Sequence, residues 1–271
     1  MHMRRVTAVV LLSGWSLVAC GLSASSAATV TACTALNICY CVNADLLPAI
    51  DANVARIRQL IAEQRRQGKA IGYMSIALST AGGGYFGVNS EIAQQTKARV
   101  ERRFGTASVW VLNPGVEGNL PPTASGADYM LMWTRVLEGA GGLGEDFDFF
   151  YFVGPSDAAR FLSLSGIGDM DKIDAYFDAR LKTDPNLQKA VAQGKVSKTS
   201  FRDYYALRAA VTFSYGSHDE WNIARMLNKR RRGADRYGIA GQLGLFFDGQ
   251  PVLPGGYETS VAAGDAGRCI N

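Results

Sequence analysis

The segment GSHDEWNIARMLN, residues 216–228, places several reactive side chains at the start of a predicted helix. It contains His218, the only histidine outside the first few residues, and two adjacent carboxylates, Asp219 and Glu220. Helical periodicity directs Glu220 towards the apolar side of this helix, where a carboxylate is costly unless it is paired or has a function. The apolar residues on that side are Ile223, Ala224 and Leu227.

The same residues also fit a structural role. Ser217 and Glu220 have the spacing of a capping box, in which each side chain accepts a hydrogen bond from the backbone of the other residue. If Glu220 is instead a nucleophile, the helix N-terminus helps to keep it ionised. A serine-hydrolase triad is not expected, because Ser217, His218 and Asp219 are consecutive and neighbours on a helix do not face one another. His218 is either a substrate ligand or a hydrogen-bonded structural residue.

Residues 216–224, GSHDEWNIA, resemble the Gly-Thr-x-x-Glu-x-Gly-x-Ala segment of nucleoside 2-deoxyribosyltransferase-like proteins. The resemblance extends through short motifs over about residues 70–250. It implies a Rossmann-like or flavodoxin-like fold, in which Glu220 attacks the anomeric carbon of a sugar. Tyr73 in IGYMS is similar to an aromatic residue near the base pocket of that family. Asp128 in GADYM is similar to a helical aspartate that contacts the substrate.

These residues suggest chemistry at an N-glycosidic bond. Glu220 would attack the anomeric carbon or stabilise an oxocarbenium-like centre, and Asp128 or Asp219 would protonate the leaving base. The expected ligand is a nucleoside- or nucleotide-like small molecule, with no cofactor and no metal. Further candidates for substrate contacts are Tyr73, Ser75, Gly82, Gly84, Asn113, Ser217, His218 and Asp219. The first alternative is a non-enzymatic envelope protein that binds a ligand or a partner.

A second alternative is a dinucleotide-dependent enzyme, because two segments match G-x-G-x-x-G. The glycines of residues 139–144 follow a predicted helix and precede a strand, which is the wrong order for this motif. Those of residues 82–87 follow a strand and precede a helix, which is the right order. However, the next strand ends in Asn113, where an acidic residue would bind the ribose. A substrate-facing loop and a plain turn therefore remain open for residues 82–87.

The elements that must position these residues alternate along the chain. The apolar runs KAIGYMSIALS, ASVWVLNPG and DFDFFYFVG predict strands, with amphipathic helices between them. This pattern predicts an α/β domain over residues 70–271, with helices on both faces of a parallel sheet. Polar, helix-prone sequence over about residues 166–213 predicts a helical insertion. The basic run at residues 229–232 is expected to be a solvated helix end, or else a phosphate-binding patch.

Residues 1–28 predict export. Two arginines precede an apolar stretch over residues 6–19, which is too short for a permanent membrane span. The sequence LVAC resembles a bacterial lipobox ending at Cys20, which would carry the lipid. Ordinary cleavage near Ala28 is the alternative. Removing the two arginines lowers the net charge from +4 to close to +2, which argues against a dedicated nucleic-acid binder. A membrane would then be contacted only through the lipid anchor.

The cysteines predict disulfides in the exported chain. Without Cys20 their number is even, which in an oxidising compartment suggests two bridges. Three lie in the segment 29–69, together with an amphipathic helix, and one lies near the end of the chain. Any complete pairing must therefore tie this segment to the C-terminal tail, although the connectivity stays open. The four cysteines are Cys33, Cys39, Cys41 and Cys269.

Overall fold

The computed structural model describes residues 28–80, 82–206, 215–234, 241–252 and 267–270. The expected export signal and the candidate lipid-bearing cysteine lie outside these ranges. Within them, no helix combines the length and the apolar character needed to cross a membrane.

Strands and helices alternate over most of the described chain. The strands are β1 (Thr29–Cys33), β2 (Cys39–Asn43), β3 (Ala70–Ser75), β4 (Val109–Leu112), β5 (Phe149–Phe152), β6 (Gly244–Phe247) and β7 (Gln250–Val252). The helices are α1 (Leu47–Arg66), α2 (Phe86–Phe104), α3 (Pro114–Glu117), α4 (Gly126–Glu138), α5 (Pro155–Phe161), α6 (Asp169–Thr183), α7 (Pro185–Ala192), α8 (Lys198–Tyr205) and α9 (Tyr215–Gly233).

The main sheet has the order β4-β3-β5-β6-β7, and the first four of these strands are parallel. The strand β7 pairs antiparallel with β6. The strands β4 and β5 lie on opposite sides of β3. The order in which the chain adds strands to the sheet therefore reverses between β3 and β5, and this position is the topological switch point of the sheet. The carboxyl ends of these two strands therefore border the crevice in which open α/β sheets bind ligands. The predicted Rossmann-like or flavodoxin-like α/β fold is confirmed.

Helices cover both faces of this sheet, as predicted. The strand β3 is buried along nearly its whole length, which is typical of parallel strands. On one face, Tyr73 belongs to a core cluster with residues of α1, α4 and α9. On the other face, Met74 packs with residues of α2 and β4. Alternate residues of β3 therefore serve two separate cores.

The predicted insertion is helical where it is described. Helices α6, α7 and α8 have an apolar cluster of their own, which also includes residues of α2 and α5. Tyr205 ties the insertion to the start of α2, because its hydroxyl accepts from the Tyr85 N–H (3.2 Å) and donates to the Asn89 side chain (2.7 Å). Asn89 lies about one turn inside α2, which starts at Phe86.

The basic run at residues 229–232 is not simply a solvated helix end. Arg231 is 5% exposed, and its guanidinium donates to backbone carbonyls of the segment between α4 and β5 and of Gly241. Arg230 donates to the carbonyls of Gly142 and Ala35. The cations complement the negative end of the helix dipole, as expected, but they also hold neighbouring segments in place.

The strands β1 and β2 form an antiparallel hairpin that carries the two predicted disulfides. Cys33 is bonded to Cys39, its direct partner in the hairpin register, and Cys41 is bonded to Cys269. The second bridge confirms the predicted link between the N-terminal segment and the tail. The tail is also held by a hydrogen bond from the Cys269 N–H to the Thr31 hydroxyl (2.9 Å).

The disulfides give the first testable prediction. In the purified, unreduced protein, the four bonded cysteines should resist alkylation by iodoacetamide under denaturing conditions, and all four should react after reduction. Mass spectrometry of the peptides would count the labelled sites. Four labelled thiols without reduction would contradict the bonding seen here.

Candidate active site

The carboxylate of Glu220 is hydrogen-bonded to a tyrosine of the central strand. Tyr73 on β3 donates from its hydroxyl to Oε1 of Glu220 on α9, at 2.5 Å. Tyr73 lies two residues before Ser75, which ends β3 at the carboxyl edge of the sheet. The hydrogen bond therefore lies beside the switch-point crevice, where the fold predicts ligand binding.

Both partners are buried, and the acceptor is incompletely satisfied. Tyr73 is fully buried and Glu220 is 6% exposed. Among the described residues, no hydrogen-bond partner meets Oε2 of Glu220 or the hydroxyl of the buried Ser75. Buried polar atoms usually have partners, so two such atoms beside one crevice indicate a place where a ligand would complete the hydrogen bonding.

The burial of Glu220 changes its acidity. Desolvation raises the pKa of its carboxyl from 4.5 to about 7, with a smaller contribution from the negative charge of Asp219. Ser75 and Tyr73 act in the opposite direction, because both hydroxyls favour the ionised form. The Ser75 hydroxyl lies near enough to the carboxylate to favour its ionised form, although it does not reach the distance and angle of a fully formed hydrogen bond. A carboxyl with this pKa is close to half ionised at neutral pH.

The hydroxyl of Tyr73 remains a neutral donor. Its pKa lies well above the ordinary value of 10.0, first because the ring is buried and second because the Glu220 carboxylate is adjacent. The ring is held by three aromatic neighbours at centroid distances of 5.4–6.0 Å. These neighbours are Trp133, Phe147 and Phe150. A tyrosine fixed in this way presents its hydroxyl to the carboxylate in one orientation.

The capping-box interpretation of Ser217 and Glu220 is wrong. Helix α9 already includes Tyr215, so Ser217 lies inside the helix and cannot be its N-cap. The Glu220 side chain accepts from Tyr73 instead of from the Ser217 backbone. Ser217 and Asp219 are both buried, and His218 is partly exposed. These three residues directly precede Glu220 in α9. Their contacts with a substrate remain predictions.

No family model, curated protein or solved structure matches this chain. The site must therefore be judged from its own geometry.

Asp128 is already committed to structural hydrogen bonds. Its Oδ2 accepts from the N–H and the hydroxyl of Ser125, both at 2.7 Å, which completes a capping box at the start of α4. Its Oδ1 accepts from the Asn43 N–H at the end of the hairpin (2.9 Å). No hydrogen bond joins Asp128 to Glu220 or to Tyr73. The Ser-x-x-Asp spacing in the sequence was the available signal for this role.

This arrangement predicts a structural effect for Asp128→Asn. The amide loses an acceptor for Ser125, so stability should fall by about 1–2 kcal/mol, while the base release expected from the sequence should be nearly unchanged at a temperature where the protein stays folded. Denaturant unfolding and a chromatographic assay would measure the two quantities. Asp171→Asn, an exposed carboxylate in the first turn of α6, is the control. A loss of activity far beyond the loss of folded protein would instead identify Asp128 as the general acid.

Asn113 also has a local role. It follows β4 and caps α3, with its side-chain oxygen accepting from the Gly115 N–H (3.0 Å) and its amide donating to Gln94 (3.2 Å). It is 2% exposed, so it lies at the predicted edge of the sheet but not on an open surface. Its contact with substrate remains a prediction.

The glycine loop before α2 is packed against the insertion. Gly82 is exposed, whereas Gly83 and Gly84 are buried, and a Cβ on Gly83 would lie 2.0 Å from the backbone oxygen of Ser200 in α8. The first amides of α2 already have partners, since the Tyr85 N–H bonds Tyr205 and the Phe86 N–H bonds Thr80. These are the groups that a dinucleotide pyrophosphate would need, so the geometry does not favour that alternative.

Trp221, the residue after Glu220, was not singled out from the sequence. It is 3% exposed and its ring centroid lies 4.7 Å from that of Phe152 at the end of β5. This contact fixes the first turns of α9 against the strand that borders the crevice. Only the 3.6-residue periodicity could have suggested an inward tryptophan here.

In the described part of the chain, no group of three or more His, Cys, Asp or Glu side chains could hold a metal ion.

Proposed function

We propose that this chain is an exported or envelope-associated protein that binds a nucleoside- or nucleotide-like molecule and cleaves or transfers its N-glycosidic bond through Glu220. The supporting observation is the buried hydrogen bond between Tyr73 and Glu220 at the switch-point crevice. The unpartnered Oε2 of the same carboxylate and the unpartnered Ser75 hydroxyl add two groups for a ligand. Strongly shifted carboxyls in a ligand-binding crevice are typical of reactive residues.

The chemistry would proceed in two displacement steps. Ionised Glu220 attacks the anomeric carbon through Oε2, the bond from that carbon to the base nitrogen breaks, and the leaving base takes a proton from Asp219. Water then attacks the anomeric carbon of the glycosyl-enzyme, gives a proton back to Asp219 and releases the sugar and the Glu220 carboxylate. A second base attacking in place of water would give transfer. Tyr73 holds Oε1 throughout, so Oε2 is left free for the attack.

A non-enzymatic binding role is the second candidate, and one observation favours it. Asp128, which the family resemblance would give a substrate contact, has both carboxylate oxygens occupied by a cap and by the hairpin. Without a proton donor for the leaving base, Tyr73, Ser75 and Glu220 would form a binding site only. Asp219, buried beside Glu220, is the remaining candidate acid.

Purified mature protein should be incubated with nucleosides, deoxynucleosides and NAD, and free base should be measured by chromatography. Base release from at least one class is the expected result. If no base appears but a nucleoside raises the melting temperature, the binding role replaces the enzymatic one. If neither assay responds, the proposal is wrong in both forms.

A further inference from the structure

A second cleft lies at the opposite edge of the sheet from Glu220. It has a volume of about 490 Å³ and lies between α1, the C-terminal end of α4 and the turn after β1. Helix α4 connects the carboxyl end of β4 to the amino end of β5, so its last residue, Glu138, lies at the amino edge. The cleft is therefore separate from the Tyr73–Glu220 pair.

Glu138 is unusual among the charged residues that line this cleft. It is 5% exposed, yet its only hydrogen bond in the described structure is from the Leu36 N–H to Oε2 (3.0 Å). No lysine or arginine nitrogen of the described residues lies within 4.0 Å of its carboxylate. Glu138 is also the last residue of α4, and the helix dipole already places partial negative charge at that end of the helix. A buried carboxylate in this position calls for a cation.

Two further groups of the cleft lack partners. The Thr34 hydroxyl, on a residue that is 8% exposed, has no hydrogen-bond partner in the described part of the chain. The same holds for Nε of Arg58, whose terminal nitrogen donates to the Arg135 carbonyl (2.7 Å). Arg135 itself is paired with Asp51 at the cleft rim (2.6 Å). The buried groups without a partner are thus one hydroxyl and one guanidinium N–H, and they lie in the same cleft as the Glu138 carboxylate, whose Oε1 makes no hydrogen bond within the described structure.

We propose that this cleft binds the primary ammonium group of a small molecule, with Glu138 as its anionic partner and Thr34 as an additional hydrogen-bond acceptor. An ammonium supplies three N–H donors in a compact positive charge, which matches Oε1 of Glu138, the hydroxyl and the negative end of α4. Asp51 also lines the cleft but is paired with Arg135, and the described residues form no group of three or more His, Cys, Asp or Glu side chains that could hold a metal ion. Arg58 adds a donor for a carboxylate on the same ligand.

The ammonium could therefore come from a simple amine or from an amino acid. Titrations of the disulfide-intact protein with n-butylammonium and with L-alanine, followed by NMR shifts, distinguish these sources. Saturable binding of either compound supports the proposal, and alanine should bind more tightly than n-butylammonium if Arg58 holds its carboxylate. Tetramethylammonium, which has the charge but no N–H donor, should bind at least tenfold more weakly than the better of the two.

The variant that tests the site is Glu138→Gln. The glutamine oxygen can still accept from Leu36, so the fold should be retained, while the affinity for the ammonium compound should fall at least tenfold. Glu63→Gln on the exposed surface of α1 is the control and should bind as the wild type does. Thr34→Val should weaken binding by a smaller factor. Equal binding by wild type and Glu138→Gln, or no saturable binding of either amine, would overturn the proposal.

Discussion

Glu220→Gln should abolish base release, with a loss on the order of 10³-fold or more, and should make the protein more stable at alkaline pH. Glutamine cannot form the glycosyl intermediate because a neutral amide oxygen is a poor nucleophile, so the chemical step loses the group that carries it. The fold should survive, since the glutamine oxygen can still accept from the Tyr73 hydroxyl.

The stability effect follows from the pKa of Glu220. The folded-state value of about 7 lies above the ordinary 4.5, so the folded state binds the proton more tightly than the unfolded state does. The tighter proton binding of the folded state therefore contributes its full stabilisation below about pH 4.5. This stabilisation is lost as the pH rises through about 7. Ionisation of the buried group costs about 3 kcal/mol above that pH. Glutamine does not ionise, so the variant keeps this stability.

Thermal unfolding of both proteins at about pH 5 and about pH 8 would measure this difference. The melting temperature of the variant should exceed that of the wild type at the higher pH, and this difference in melting temperature should be smaller at the lower pH. Glu63→Gln, which removes an exposed carboxylate, should show neither effect. A variant that is inactive but equally stable at both pH values would argue against a buried, ionised Glu220. A variant that retains base release would remove Glu220 from the mechanism.

The main sheet could be predicted because its strands are buried on both faces. Such strands appear in the sequence as short apolar runs, as in β3 and β5, and the helices between them set the parallel order. The hairpin β1–β2 was not predicted as strands, because its halves are short and their pattern is dominated by cysteines. Its disulfides were predictable as a number and as a link to the tail, but the connectivity depends on a register that only pairing reveals.

The candidate site was predictable in parts. The inward direction of Glu220 follows from helical periodicity alone, because its neighbours three, four and seven residues on are apolar. Its partner Tyr73 is 147 residues away, and no local pattern encodes that contact. Asp128 and Asn113 were placed correctly at the ends of elements. Their residue types suit both catalysis and capping, so only the hydrogen bonds show that their side chains are already used.

The basic run shows a similar limit. Sequence periodicity placed Arg231 at the end of α9, where a charged residue is normally solvated. Its burial depends on carbonyls that a distant segment between α4 and β5 presents to it. Contacts of this kind are determined by how elements meet, which composition and local spacing do not specify.

Tyr73→Phe should shift the pH profile of base release instead of abolishing activity. Among the described residues, the phenol makes the one fully formed hydrogen bond to Glu220, and its removal would leave the nearby Ser75 hydroxyl as the remaining group that favours the ionised form. A hydrogen bond to a charged group contributes about 1.5–3 kcal/mol, so the pKa of Glu220 should rise above 7 by roughly one to two pH units. At neutral pH the ionised fraction, and with it the rate, should fall about five- to fiftyfold.

The direction in which the pH profile shifts shows whether Tyr73 controls the ionisation of Glu220 or only packs against it. Because attack requires the ionised carboxylate, the rate of the Tyr73→Phe variant should recover as the pH is raised towards about 9, and the midpoint of its profile should lie above that of the wild type. Tyr40→Phe, which removes a buried hydroxyl bonded to the neutral Thr134 at 2.7 Å, should leave the midpoint unchanged. A uniform fall in rate with an unshifted midpoint would mean that Tyr73 supports the fold around Glu220 without controlling its ionisation.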